Sequence, residues 1–128
     1  VIVDSSAIVA MARDEPECDV FAAALLGSRA RMSAASLAEC GIVLDAQGPA
    51  TRQRLDELLD ELQIDVAPFT AEQARIARFA YRRYGKGSGS PARLNLGDCF
   101  SYALASVAGE PLLFKGENFT HTDVLPAL

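Results

Sequence analysis

The chain has 128 residues, is 50% hydrophobic and carries a formal net charge of −5, enough apolar material for one core and therefore a single domain over 1–128. No apolar stretch approaches the ~20 residues that cross a bilayer and no signal peptide is visible, so a cytoplasmic protein with no membrane contact is expected. Cys18, Cys40 and Cys99 form an odd set without CxxC spacing, and His121 is the single histidine, which argues against a disulfide scaffold, a zinc site and a Ser–His triad.

Val1-Ile2-Val3 reads as a short buried strand, its initiator methionine removed or left out of the numbering, and Ser5 or Ser6 can cap the helix that follows to about Arg13. A second helix fits Cys18 to Leu26, ended by Gly27. Ala30 to Met32 is expected as the second strand, and Ser33 or Ser36 then opens a helix to about Ala46. Gly48-Pro49 breaks the chain, after which Leu55, Leu58, Leu59 and Leu62 mark a helix from Ala50 to Leu62. Ile64 to Val66 is a third strand. Thr70 caps a long helix to Tyr84, with Gln73 at the capping-box position. Residues 85–91 (Gly-Lys-Gly-Ser-Gly-Ser-Pro) read as a flexible loop, Leu96 to Ala108 as an apolar helix closed by Gly109, and Leu112 to Phe114 as a fourth strand. Strands alternating with helices imply a parallel sheet covered on both faces, whose sites lie beyond the carboxyl ends of the strands.

Acids fall where such elements begin and end. Asp4 ends the first strand, Glu39 sits in Ser36-Leu37-Ala38-Glu39, Asp98 follows Asn95-Leu96-Gly97, and the turn Gly116-Glu117-Asn118-Phe119 follows the last strand. Carboxylates gathered at one sheet edge repel one another. At an effective dielectric of ~20, two charges ~5 Å apart cost about 3 kcal/mol, so three mutual pairs cost roughly 10. Such a cluster takes a divalent cation or takes up protons.

Against the acidic average stands a basic stretch. Arg75, Arg78, Arg82, Arg83, Lys86 and Arg93 are half of the 12 basic residues, and no acid lies between Glu72 and Asp98. One basic stretch can hold a phosphate backbone locally, although a solvated helix face has the same composition.

The stretches Val-Asp-Ser-Ser-Ala at 3–7, Ser-Ala-Ala-Ser-Leu-Ala-Glu at 33–39, Asn-Leu-Gly-Asp-Cys-Phe at 95–100 and Leu-Leu-Phe-Lys-Gly at 112–116 resemble PIN-domain ribonucleases, more narrowly the VapC-type toxins of bacterial type II toxin–antitoxin modules. The resemblance runs nearly end to end. It implies a three-layer α/β/α domain with a mostly parallel sheet of four to five strands, and RNA cleavage with Mg²⁺ or Mn²⁺ held by acids at Asp4, Glu39 and Asp98. It further implies homodimers and a cognate antitoxin that occludes the acidic pocket. The family pattern places an acid immediately before the last-turn phenylalanine. Here that position is Asn118, with Glu117 one place earlier. An amide brings an oxygen but no charge, so the fourth position rests on Asn118 or Glu117.

Each acid also has a purely structural role open to it. Asp4 can cap the first helix, Glu39 stands at capping-box spacing from Ser36, and Asp98 can favour a helix dipole by only ~0.3–1 kcal/mol, less than its desolvation among Leu94, Leu96, Cys99 and Phe100 would cost. Ser6 and Thr122 are expected either to hydrogen-bond the carboxylates or to serve their own turns, Arg82, Arg83, Lys86 and Arg93 to grip RNA, and Lys115 either to approach phosphate or to be merely solvated. His121 reads as a surface turn residue, and Cys40 and Cys99 as packing. Oxygen ligands select Mg²⁺ or Mn²⁺. Two other classes fit some of the residues. A phosphoacceptor signalling domain would use a strand-end lysine, but its acceptor would have to be Asp45 or Asp65, which do not follow a central strand. A non-cleaving RNA-binding module would keep the basic stretch and need no converging acids.

Overall fold

The computed structural model describes residues 1–128. The chain runs β1 (Ile2–Val3), α1 (Ser5–Ala12), α2 (Cys18–Leu25), β2 (Arg31–Ser33), α3 (Ala34–Asp45), α4 (Pro49–Glu61), β3 (Asp65–Ala67), α5 (Ala71–Tyr84), α6 (Leu96–Ala108), β4 (Leu112–Leu113) and a short 3₁₀ turn over Asn118–His121. The four strands are all parallel and lie in the order β3-β2-β1-β4. Beyond β4, one further parallel bridge joins Leu112 to Pro126, the nearest approach to a fifth strand.

Alternation along the central strands separates two cores. Val3, Met32 and Leu113 pack with α1 to α4, while Ile2 and Leu112 pack with α5 and α6. Successive strand residues point to opposite faces, so even the two-residue strands β1 and β4 feed both layers. The result is a helical layer on each side of one sheet, α/β/α.

Helix starts differ from the sequence reading in instructive ways. Asp4, not Ser5 or Ser6, caps α1, its side chain accepting from the Ser6 backbone. Ser33 caps α3, so Glu39 lies well inside that helix and has no capping role. The helix after Gly48 begins at Pro49 itself, since a missing N–H costs nothing in the first turn. Thr70 caps α5 by accepting from the Gln73 N–H at 3.1 Å, but the Gln73 side chain turns away to Pro68 O at 3.2 Å, leaving the capping box half made. β2 and β3 each sit one residue later than expected.

The loop at 85–91 is tied down rather than free. Gly85 and Leu94 form a parallel bridge, the Lys86 N–H donates to Leu94 O at 3.0 Å, and the Leu94 N–H to Tyr84 O at 2.9 Å. Arg93, between buried Ala92 and Leu94, adopts the left-handed region at φ 49°. This tie brings the end of α5 to the start of α6.

Candidate active site

Three elements end or begin at the carboxyl edge of the sheet: β1 with Asp4, α3 with Glu39, and the first turn of α6 with Asp98. Together they line a cleft of about 450 Å³, completed by Ser5, Ser6, Glu15, Asn95 and Lys115. Sequence spacing brings none of these acids near another, so the fold alone assembles them.

Asp4 is fully enclosed, at 1% exposure. Its Oδ2 accepts from the Ser6 N–H at 2.9 Å and the Ser6 hydroxyl at 2.6 Å. Its Oδ1 is buried without a hydrogen-bond partner. The nearby Ser101 hydroxyl favours the ionised form, but pairs in hydrogen-bond geometry with Ser36 Oγ at 3.1 Å and leaves Oδ1 unmatched. Burial pushes the Asp4 carboxyl above its ordinary pKa, against the opposing pull of Ser101 and Ser6. A buried acceptor with no donor costs about 1–3 kcal/mol, and nothing in the helix cap requires it.

Glu39 is half-buried and accepts from the Ser5 hydroxyl at 3.0 Å through Oε1. Its carboxylate lies where a side chain at Gly97 would begin: a Cβ built on Gly97 collides with both Glu39 oxygens. Gly97 therefore lets α3 and α6 close until Glu39 stands beside Asp98. This role went unread in the sequence, where a glycine before an acid looks like ordinary turn chemistry.

Asp98 makes the capping box of α6, its Oδ2 accepting from the Asn95 N–H at 3.0 Å while its own N–H donates to Asn95 Oδ1 at 2.8 Å. Capping is thus a real role of this residue. It does not neutralise the charge. Desolvation raises the Asp98 pKa first, the negative charges of Asp4 and Glu39 raise it further, and the Asn95 amide and the Asn118 side chain oppose them. Asn118 comes near enough to oppose the rise at Asp98, but it is exposed and does not line the cleft. The buried thiols of Cys40, in the cleft wall, and Cys99, next to Asp98, are each pushed up to about 12 by burial and by neighbouring carboxylates, so they stay neutral.

The remaining predicted positions scatter. Ser6 is bound to Asp4, as described, and also accepts from the Lys115 N–H at 3.0 Å. Thr122 donates to Phe119 O at 2.7 Å and accepts from the Val124 N–H at 3.3 Å, closing its own turn instead of touching a carboxylate. Glu117 is exposed, makes no side-chain hydrogen bond at the start of the 3₁₀ turn, and does not line the cleft. His121 is exposed in the same turn. Arg82, Arg83, Lys86 and Arg93 are all exposed and outside the cleft. Arg83 lies over the Tyr84 ring at 4.9 Å and Arg82 over Phe79 at 5.7 Å. The one cation lining the cleft is Lys115, and Glu15, from the turn between α1 and α2, is an acid the sequence reading passed over. Asp45 and Asp65 are exposed and do not line the cleft, Asp65 standing on the edge strand β3, which removes the acceptor a phosphoacceptor domain needs. A separate apolar groove of about 510 Å³ between α5 and α6, with Phe69, Leu96, Phe100, Arg78 and Arg82 in its walls, contains no carboxylate.

No three Asp, Glu, His or Cys side chains stand in ligand geometry around a single point. What the cleft offers is a set of oxygens, one orphaned. That suits a hard ion that keeps much of its own water and takes one or two protein carboxylates, as Mg²⁺ does. No helix is long and apolar enough to cross a membrane.

The chain is similar to known proteins over nearly its whole length. The family model for the PIN domain matches residues 1–125. The chain is 54% identical over 129 residues to ribonuclease VapC28 of Mycobacterium tuberculosis, covering 99% of this chain and 97% of the relative. It is 53% identical over 128 residues to ribonuclease VapC42 of the same organism, with 98% of each covered. VapC ribonuclease Mb0640 of Mycobacterium bovis is 48% identical over 125 residues, covering 96% of this chain and 95% of the relative.

Proposed function

The chain belongs to the PIN-domain family, and from that premise we propose that it is a VapC-type endoribonuclease that hydrolyses RNA phosphodiester bonds with Mg²⁺ or Mn²⁺. The observation that carries the metal is the buried Asp4 Oδ1 without a donor, in one cleft with Glu39 and Asp98. Asp4, Glu39 and Asp98 would hold the ion, one or two of them directly and the rest through its retained water, with Asn118 as the uncharged fourth position. When bound, the ion supplies Lewis acidity, lowering the pKa of a water and offsetting charge on the scissile phosphate.

The chain's own contribution is orientation. Ser6 clamps one oxygen of Asp4, Ser5 one oxygen of Glu39, and the Asn95 N–H one oxygen of Asp98, which fixes each carboxylate at the cleft. No side-chain nucleophile is required, in keeping with two neutral buried thiols. Arg82, Arg83, Lys86 and Arg93 would hold the RNA backbone outside the cleft, giving affinity more than sequence choice. A cognate antitoxin that covers the cleft, a homodimeric assembly and a cytoplasmic location complete the proposal.

One observation favours a second reading, a non-cleaving RNA-binding module: Asn118 lacks the charge expected at the fourth position. Incubating the free protein with total RNA in Mg²⁺, in Mn²⁺ and in chelator separates the two. The ribonuclease cleaves in either metal and not in chelator. Binding without cleavage in all three conditions selects the module.

A further inference from the structure

Lys115 is the single cation in a cleft otherwise lined by acids and neutral groups. A polyanionic substrate approaching Asp4, Glu39 and Asp98 meets repulsion, and the basic stretch on α5 does not reach inside to relieve it. Lys115 is placed with unusual care for a residue just past a strand. Its backbone N–H is fixed to Ser6 Oγ at 3.0 Å, the hydroxyl that also clamps Asp4. Its ammonium lies between Glu15 and Glu17, 3.1 Å from each. An ammonium has three N–H donors. Two are taken by these glutamates, which leaves one without a partner on a side chain that lines the cleft.

We propose that Lys115 is the phosphate-binding residue of the cleft, and that Glu15 and Glu17 are positioning residues that hold its ammonium at the rim with one donor free. The proposal rests on the RNA-cleaving reading above and names the side chain that meets the phosphodiester there. The two ion pairs are partly exposed, with Lys115 at 38% and Glu17 at 39%, so they orient the lysine without locking it. The glutamates also act as a brake: their charge opposes the phosphate that the lysine attracts. Removing them should tighten RNA binding while slowing turnover, because the freed lysine swings.

The test uses the full chain and a short single-stranded RNA. Binding is measured in chelator across salt concentrations, and kcat and KM in Mn²⁺, for the wild type, Lys115→Ala, Lys115→Arg and the double change Glu15→Gln with Glu17→Gln. One lost phosphate contact on a single strand lowers the log–log salt slope by about 0.7, and weakens binding roughly three- to fivefold near 0.15 M salt. Lys115→Ala is expected to show both, Lys115→Arg to restore both, and the glutamate pair to lower KM and kcat together at unchanged melting temperature. A wild-type slope in Lys115→Ala overturns the assignment while leaving the ribonuclease reading intact. Glutamate changes that only lower melting temperature and active fraction, with KM constant, make the ion pairs structural and overturn the positioning role. A wild type that neither binds nor cleaves RNA overturns both readings.

Discussion

The acidic cleft and the basic stretch are both charged, but they are built in opposite ways. In the cleft, charge is buried, each acid is clamped by a named donor, and a glycine is required so that two helices can close. On α5 and the loop to Arg93, the charges are exposed, and Arg82 and Arg83 rest only on aromatic faces. Concentrated like charge under low solvent costs folding energy, whereas the same number of charges spread in water costs almost nothing. A region kept despite its cost is specified residue by residue. A region kept cheaply is specified by its sum. Changes in the cleft should therefore move activity and stability in opposite directions, and changes in the basic stretch should move affinity and leave stability alone.

The largest expected effect is from Asp98→Asn or Asp4→Asn. Asparagine can still accept from the Asn95 or Ser6 donors, so each cap survives, while the charge is lost. Changes to groups that merely support metal ligands cost 10–100-fold, so cleavage should fall by more than about 100-fold, with melting in chelator equal to or above the wild type. Cleavage at the wild-type rate in Asp98→Asn would remove that residue from the site.

Gly97→Ala comes next. By helix propensity alone the change should stabilise α6 by about 1 kcal/mol, but the new methyl meets the Glu39 carboxylate. Activity should drop roughly 10–100-fold, and a stability gain with full activity would show that Glu39 has room to move and no fixed role.

Replacing Arg82, Arg83 and Lys86 together by neutral residues should lower the salt slope of RNA binding by about 2, from three contacts at ~0.7 each. Melting should stay within about 0.5 kcal/mol of the wild type, as surface changes usually do. An unchanged slope would mean that the stretch is a solvated face and that the RNA path lies elsewhere.

The smallest effect tests the join between the regions. Asn118→Asp adds a charge beside Asp98 and should tighten Mg²⁺ binding about tenfold, an added attraction of ~1–3 kcal/mol less the new repulsion. Without metal the same change should lower melting. Equal shifts with and without Mg²⁺ would place the side chain outside the pocket.

Much of this was legible in the sequence, for reasons particular residues make plain. The alternation of short strands with helices bounded by caps, Gly and Pro made the α/β order readable, because such signals are local. Residue types and element ends marked Asp4 and Asp98, since both stand at boundaries. What could not be read is contact across distance. That Glu39 rests on Gly97 and that Glu15 reaches Lys115 depend on how α3, α6, the α1–α2 turn and the end of β4 pack. Asp4, Ser5 and Ser6 were all open as the cap of α1, because serine caps as well as aspartate, and only the buried geometry decides which oxygen faces the N–H groups.

The pH dependence follows from the same burial. Asp4 and Asp98 have folded pKa values above the ordinary carboxylate range, so the folded state holds protons that the unfolded chain has released. Metal-free stability should then fall as pH rises from the unfolded carboxylate pKa, near 4, through the raised folded values. Mg²⁺ competes with those protons, so its stabilising effect should grow over the same window. Melting of the wild type and Asp98→Asn at neutral pH, in Mg²⁺ and in chelator, tests the central claim of a carboxylate metal site most directly. Mg²⁺ should raise the wild-type melting temperature, while Asp98→Asn should melt no lower than the wild type in chelator and respond little to the metal. Equal responses of the two proteins to Mg²⁺ would contradict it.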